Sequence, residues 1–141
     1  MKSYLSYSLN DVIRTNSSSG GCCKEITRFC LENNIADKAI TTKLNGLRPE
    51  TLITNDLNII MSPNTNSIYQ ETNPLSVLSD MSKHERYVFV GLPCHIKAVK
   101  NYCAKNDINI ITISLFCNCT PVGFEDNVLK HLNINREDVI N

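Results

Sequence analysis

A strand, a helix and a second strand follow one another in the second half of the chain, and this unit constrains the fold most. Residues 86–90 are β-branched and aromatic apart from Arg86, and residues 108–116 form a nearly continuous apolar run. The helix between them carries Ile96, Val99 and Cys103 on its inner face. This order predicts parallel strands joined by a right-handed crossover. The continuous apolar run further predicts that the second strand is central and covered on both faces.

A helix before this unit is predicted to begin at Cys22 and to end at Asn33. Lysine, arginine and glutamate side chains occupy one of its faces. The face predicted to be buried carries Cys22, Ile26, Phe29, Cys30 and Asn33.

The remaining segments complete a layered sheet. Residues 36–44 and 50–54 are predicted strands joined by a turn at Asn45 and Gly46, and this hairpin is expected at a sheet edge. Further helices are predicted at residues 56–61, 74–81 and 121–132. We therefore predict an α/β fold with a mixed, mainly parallel sheet layered with helices, as a single domain over residues 1–141.

Charge and hydropathy exclude several classes of protein. The chain has 14 basic and 14 acidic residues and no basic run, so nothing favours binding to nucleic acid or to a membrane surface. The apolar runs are too short to cross a bilayer, and the amino terminus lacks the apolar segment of a signal peptide. We therefore expect a cytoplasmic protein.

The chain contains 7 cysteines, and they must be divided between packing and chemistry. An odd number without a secretory signal argues against a disulfide framework. Cys30 and Cys103 lie on apolar helix faces and are expected in the core. Cys94 and Cys117 follow the two parallel strands, so adjacent strands would place both thiols at one sheet edge, as metal ligands or reactive thiolates. His95 is expected to face solvent.

A polar loop of serines and glycines, residues 17–21, precedes the first predicted helix. A helix N-terminus presents unpaired N–H groups, and glycines allow a phosphate to approach the backbone. The same composition is typical of an ordinary helix cap, so both interpretations stay open. Cys22 and Cys23 directly after the loop are also undecided between packing and function.

Four stretches together carry a family resemblance. Residues 13–21 are similar to Arg-x-x-Ser-x-Ser-Gly-Gly, and residues 66–75 to a Gly-Ser-Lys-Tyr-x-x-Ser segment. Residues 90–99 are similar to Gly-x-Pro-Cys-Gln-Ile-x-Ala-Leu, and residues 115–117 are Leu-Phe-Cys. In this order they resemble the N-terminal and central part of the coenzyme F-420 hydrogenase/dehydrogenase beta-subunit family. Ile68 stands where the family has lysine, and a lysine lost there would weaken anion binding.

The resemblance implies a flavoprotein that binds FAD and moves electrons between the flavin and an iron–sulfur cluster, with coenzyme F-420 as a substrate. It implies other redox subunits or a ferredoxin-like protein as partners, and a homo-oligomer is a further expectation. The implied cofactor contacts are Arg14, Ser18, Ser19, Gly20, Gly21 and Pro93. Ser67 and Tyr69 are implied to act at the flavin or its substrate. The candidate cluster ligands are Cys22, Cys94, Cys117 and Cys119.

Two other functions stay open. The chain would be a cofactor-free binding or docking module if it keeps the fold alone. It would be a thiol-based redox protein if Cys94 reacts together with Cys117 or Cys119.

Overall fold

The computed structural model describes residues 2–68, 70–117 and 124–135. Its helices are α1 (Asp11–Thr15), α2 (Cys22–Glu32), α3 (Leu57–Met61), α4 (Pro93–Lys105) and α5 (Phe124–Leu132). Its strands are β1 (Lys38–Asn45), β2 (Arg48–Thr54), β3 (Arg86–Gly91) and β4 (Asn109–Ser114). Short 3₁₀ turns occupy Pro63–Thr65 and Leu78–Asp80. Residues 121–123 of the last predicted helix lie outside the described residues.

The strands form one sheet in the order β2-β1-β3-β4. β3 and β4 are parallel and are connected through α4, as the strand–helix–strand pattern predicted. β1 is parallel to β3 and antiparallel to β2, and the predicted hairpin turns at Asn45 and Gly46. The predicted α/β fold with a mixed, mainly parallel sheet is therefore confirmed.

The predicted central position of β4 is wrong. β4 ends the strand order, and its Ile111 is 37% exposed. β3 is the strand that is covered on both faces, since Tyr87, Val88 and Phe89 are at most 1% exposed. A continuous apolar run predicts burial of side chains, but it carries no information on how many strands lie beside it.

The buried face of α2 is also not the predicted one. Lys24, Thr27 and Cys30 are buried, whereas Ile26 and Phe29 are 41% and 52% exposed. Both sets recur at helical spacing, so the period alone does not select between them. The Thr27 hydroxyl donates to a carbonyl one turn earlier, and Lys24 donates to two carbonyls, so the polar atoms on the buried face have partners.

Residues 74–81 form tight turns instead of the predicted helix. Successive backbone N–H groups donate to carbonyls three residues earlier, from Ser76 to Asn73 and from Met81 to Leu78. This i to i+3 pattern is typical of 3₁₀ structure, which is rarely continued beyond a few residues.

Apolar side chains pack on both faces of the sheet. Tyr87 and Phe89 belong to one cluster with Val99 and Cys103 of α4. Cys30, Ala36, Ala39, Ile60 and Val88 form the other cluster. The predicted core positions of Cys30 and Cys103 are therefore confirmed, with 5% and 1% of each residue exposed.

An ion pair joins the amino-terminal ends of β1 and β3. Arg86 donates from Nη2 and Nε to the Asp37 carboxylate over 2.7 Å and 3.1 Å, and its backbone N–H donates to the same group over 2.7 Å. Hydrogen bonds from Arg86 lower the pKa of Asp37 from 3.8 to about 2. A carboxyl group whose pKa is lowered on folding stabilises the fold above its unfolded pKa. That contribution disappears as the pH falls from about 4 to about 2.

We expect Asp37→Asn to lower the thermal unfolding midpoint at pH 6 and to have little effect at pH 2. The difference should fade between about pH 4 and pH 2, because wild-type Asp37 becomes protonated there. Calorimetry of both proteins across this range measures it. Asp80→Asn, at an exposed aspartate, is the matched control. An undiminished difference at pH 2 would show that the Asp37 charge is not the cause.

Candidate functional site

A cavity of about 570 Å³ opens at the carboxyl ends of β3 and β4. Parallel α/β sheets bind their ligands at this edge. The lining comes from separate parts of the chain, residues 17–19, 21–24, 41–42, 65–68, 90–92 and 115–117 among them. Among the described residues, the lining contains Lys24 and His95 and neither aspartate nor glutamate. An anionic ligand therefore meets no carboxylate in the described wall.

The serine–glycine loop forms one wall of this cavity. Gly21 is the N-cap of α2 with a φ of +77°, and no side chain caps the helix there. Ser18 and Ser19 are exposed and line the cavity, whereas the Ser17 hydroxyl donates to the Ile13 carbonyl over 2.6 Å. The loop thus presents the start of α2 and two serine side chains to a ligand, which favours the phosphate interpretation.

Lys24 ties two helix ends together at the cavity wall. Its Nζ donates to the carbonyls of Asn16 and Ser62, each over 2.6 Å. Asn16 is the C-cap of α1 and Ser62 the C-cap of α3, so one ammonium meets the negative ends of two helix dipoles. Burial lowers the pKa of Lys24 to about 8, which leaves the ammonium mostly charged at neutral pH.

The three candidate cluster ligands that the structure describes do not all line the cavity. Cys22 and Cys117 line the cavity, whereas Cys94 lies exposed in the first turn of α4 and outside the lining. Cys119 lies outside the described residues. Where the chain is described, no three cysteine, histidine, aspartate or glutamate side chains are arranged to hold a metal ion.

The direction of the chain after each strand explains why Cys117 lines the cavity and Cys94 does not. The Leu115 N–H donates to the Gly91 carbonyl over 2.9 Å, so the chain beyond β4 continues beside the end of β3 toward the cavity. Pro93 instead starts α4 at once, and Cys94 turns with the helix away from that wall.

Of the other predicted site residues, some line the cavity and others do not. Ser67 lines the cavity, and Tyr69 lies outside the described residues. Arg14 does not line it, because its guanidinium pairs with Asp11 and also donates to the Ser8 carbonyl over 3.3 Å. Gly20 and Pro93 are likewise absent from the lining, although each adjoins a residue that lines it.

Besides Lys24, the cavity residues that were not recognised as such in the sequence include His95 and Gln70. His95, expected to face solvent, is half-buried in the lining, and burial lowers its pKa. Gln70 contributes a buried Oε1 that has no hydrogen-bond partner among residues 2–68, 70–117 and 124–135. A buried acceptor without a donor is uncommon, and a ligand in the cavity could supply one. His95 had one sequence signal, its place next to Cys94 after a parallel strand, and Gln70 had none.

A known protein family matches the part of the chain that contains the two parallel strands ending at the cavity. A family model for the carboxyl terminus of the beta subunit of coenzyme F420 hydrogenase/dehydrogenase matches residues 84–141. These residues contain β3, α4 and β4. Over these residues, the chain is similar to the coenzyme F420 hydrogenase/dehydrogenase beta-subunit family. The family inferred from the four motifs is confirmed, although the matching model describes the carboxyl-terminal part of that protein instead of its N-terminal part.

The fold of this chain resembles a solved structure. A chain of the F420-reducing [NiFe] hydrogenase complex from Methanosarcina barkeri superimposes with a TM-score of 0.79 and 17% sequence identity. The superposition covers 93% of this chain and 50% of that one, so this chain spans about half its length. At this identity, the likeness shows the fold. No curated protein matches the sequence. No helix in the described parts of the chain is long and apolar enough to cross a membrane.

Proposed function

We propose that this chain is the flavin-binding part of a redox protein, and that FAD binds in the cavity beside the serine–glycine loop. The observation that carries the proposal is the position of the cavity, which joins the start of α2 to the ends of two parallel strands. Bound FAD would supply hydride and single-electron chemistry. Coenzyme F420 is the proposed reaction partner, by analogy with the F420-reducing complex that shares the fold.

The described residues fit a flavin nucleotide in size and in polarity. A volume of about 570 Å³ lies within the usual range for small-molecule sites. The Lys24 ammonium and the hydroxyls of Ser18 and Ser19 suit phosphate groups. The unpartnered Oε1 of Gln70 suits an N–H donor, such as the imide of a flavin ring. Each of these features would contact a different part of the cofactor.

Phe116 offers an apolar surface for the ring system. It lines the cavity, and its side chain is as exposed as in an extended chain, at 105%. A phenylalanine left fully in water is favourably covered by another aromatic ring, which gains both apolar burial and ring stacking. In this proposal, Phe116 orients the flavin, and covering the ring excludes water from that face.

An iron–sulfur cluster does not fit the described cysteines. Such clusters are held by four cysteine thiolates, whereas three described cysteines, Cys22, Cys23 and Cys117, line the cavity. We therefore derive no step through a cluster held by these residues. Other redox subunits or a ferredoxin-like protein are the proposed electron-transfer partners, since the chain of similar fold belongs to a hydrogenase complex.

We expect purified protein to bind FAD saturably and Phe116→Ala to weaken that binding about tenfold, through lost stacking and apolar burial. Titration followed by flavin fluorescence measures both affinities. Phe29→Ala is the matched control, because Phe29 is also exposed but lies on α2 outside the cavity.

Each outcome of the titration decides a separate point. Absence of saturable FAD binding by the wild-type protein would reject the proposal and favour a cofactor-free docking module. If Phe116→Ala and Phe29→Ala weaken FAD binding equally, the proposal that the chain binds FAD would stand. Phe116 would then not be part of the binding site.

A further inference from the structure

Lys24 combines burial, a positive charge and access to the cavity. Only 9% of the residue is exposed, yet it contributes to the cavity lining. Its ammonium carries three N–H donors, and two of them are used by the carbonyls of Asn16 and Ser62. Within residues 2–68, 70–117 and 124–135, Lys24 donates to no third acceptor and pairs with no carboxylate.

A structural tie between two helix ends does not require this charge. A neutral side chain with two N–H donors would satisfy both carbonyls, and it would avoid the cost of removing an unpaired cation from water. Buried charges are ordinarily paired, and even the partly buried Arg28 is paired, with Glu25 and Glu32. The unpaired lysine is therefore the exception to be explained.

We propose that Lys24 is the specificity-determining cation of this cavity and that it binds a phosphate ester through its remaining N–H. The proposal rests on the proposed function for the flavin part of the ligand, and on the geometry around Lys24 for the phosphate part. Ser18 and Ser19 provide hydroxyl donors on the same wall, and α2 begins between them and Lys24. The absence of aspartate and glutamate from the described lining removes the groups that would repel the anion.

Lys24 would also couple ligand binding to loop position. Its two carbonyl partners, at Asn16 and Ser62, lie 8 and 38 residues away in the sequence, and this one side chain binds both. A phosphate held by the same ammonium is thereby fixed relative to both the end of α1 and the end of α3. The Nζ atom of Lys24 would therefore both position the ligand and select ligands that carry a phosphate.

The test compares ligands that differ in phosphate content at pH 7. Riboflavin carries the ring without phosphate, FMN carries the ring with one phosphate, and ADP carries a diphosphate without the flavin ring. Lys24→Gln keeps two N–H donors but removes the charge, Lys24→Arg keeps the charge, and Lys100→Gln removes a charge from an exposed position on α4. Flavin fluorescence and, for ADP, titration calorimetry give the affinities.

We expect Lys24→Gln to weaken FMN and ADP binding about 10- to 100-fold, as for the loss of a charge-assisted hydrogen bond, and to leave riboflavin unaffected. Lys24→Arg should keep the preference for FMN over riboflavin, and Lys100→Gln should change nothing. If Lys24→Gln fails to fold in circular dichroism, Lys24→Arg decides, since loss of the FMN preference in a folded charged variant overturns the inference.

The remaining outcomes separate this inference from the proposed function. Equal weakening of riboflavin and FMN would reduce Lys24 to a structural tie and overturn the inference while flavin binding stands. Binding of ADP that depends on Lys24, with no binding of either flavin, would support the phosphate site and reject the flavin proposal. If none of the three ligands binds the wild-type protein, both are rejected.

Discussion

Gly21→Ala is expected to destabilise the protein by about 2–4 kcal/mol and to weaken FAD binding strongly. Gly21 has a φ of +77°, a region that costs other residues strain. A Cβ there would lie 2.7 Å from Cγ2 of Ile13 and 3.1 Å from its carbonyl oxygen. Ile13 is fully buried, so neither atom can easily move away. The expected relief is a shift of the loop, which displaces the start of α2 from the cavity.

Gly46→Ala separates the two causes of that destabilisation. Gly46 has a φ of +61°, but nothing lies within 4 Å of the position its Cβ would take. The substitution should therefore cost only backbone strain, about 1–2 kcal/mol, and leave FAD binding unchanged. Urea unfolding of the two variants measures the difference in free energy of unfolding. If Gly21→Ala and Gly46→Ala lose the same free energy of unfolding, the close contact with Ile13 is relieved without an energetic cost.

The strand–helix–strand unit could be predicted because its signals are local. The apolar residues 87–90, the proline at position 93 and the apolar run after α4 each indicate their own element, and short connections bring them together. The hairpin at Asn45 and Gly46 has the same local origin. The number of strands beside β4 has no local signal, and that is where the prediction was wrong.

The orientation of α2 depends on contacts that are distant in sequence. Burying Lys24 is acceptable because the Ser62 carbonyl, 38 residues later, accepts a hydrogen bond from its ammonium. Without that acceptor the lysine face would be the solvent face, as its composition indicates. Ile26 and Phe29 are left exposed as a consequence, since the two faces cannot both be buried against the sheet. A polar residue whose partner is remote is the kind of feature that periodicity misreads.

The candidate site was predicted in outline and differs in detail. Cys22 and the loop before it, except for Gly20, line one cavity together with Ser67 and Cys117. Cys94 does not, because proline-initiated α4 turns the thiol away from the strand end. The charge pattern of α2 places Lys24 on the solvent face, so its position in the cavity depends on the same distant contact. The roles of all these residues stay predictions for the experiments above.

Phe89→Ala is expected to lower the free energy of unfolding by about 3–5 kcal/mol. Phe89 is 1% exposed on β3 and packs in the cluster that contains Val99 and Cys103 of α4. Truncation removes the transfer free energy of a ring and leaves a cavity in the sheet's central covered strand. The ring also fills the space over Gly91, where an added Cβ would lie 2.5 Å from its Cζ. Gly91 lines the ligand cavity, so the loss should extend to FAD affinity.

Phe29→Ala is the matched truncation, since the same side chain is 52% exposed there and leaves little cavity behind. We expect it to cost less than about 1 kcal/mol. Urea unfolding gives both free energies, and fluorescence titration gives the FAD affinities. If Phe89→Ala unfolds at the same urea concentration as Phe29→Ala, β3 is not the strand on which the two layers pack. Normal FAD affinity in a clearly destabilised Phe89→Ala would instead show that the strand end at Gly91 keeps its shape without the ring.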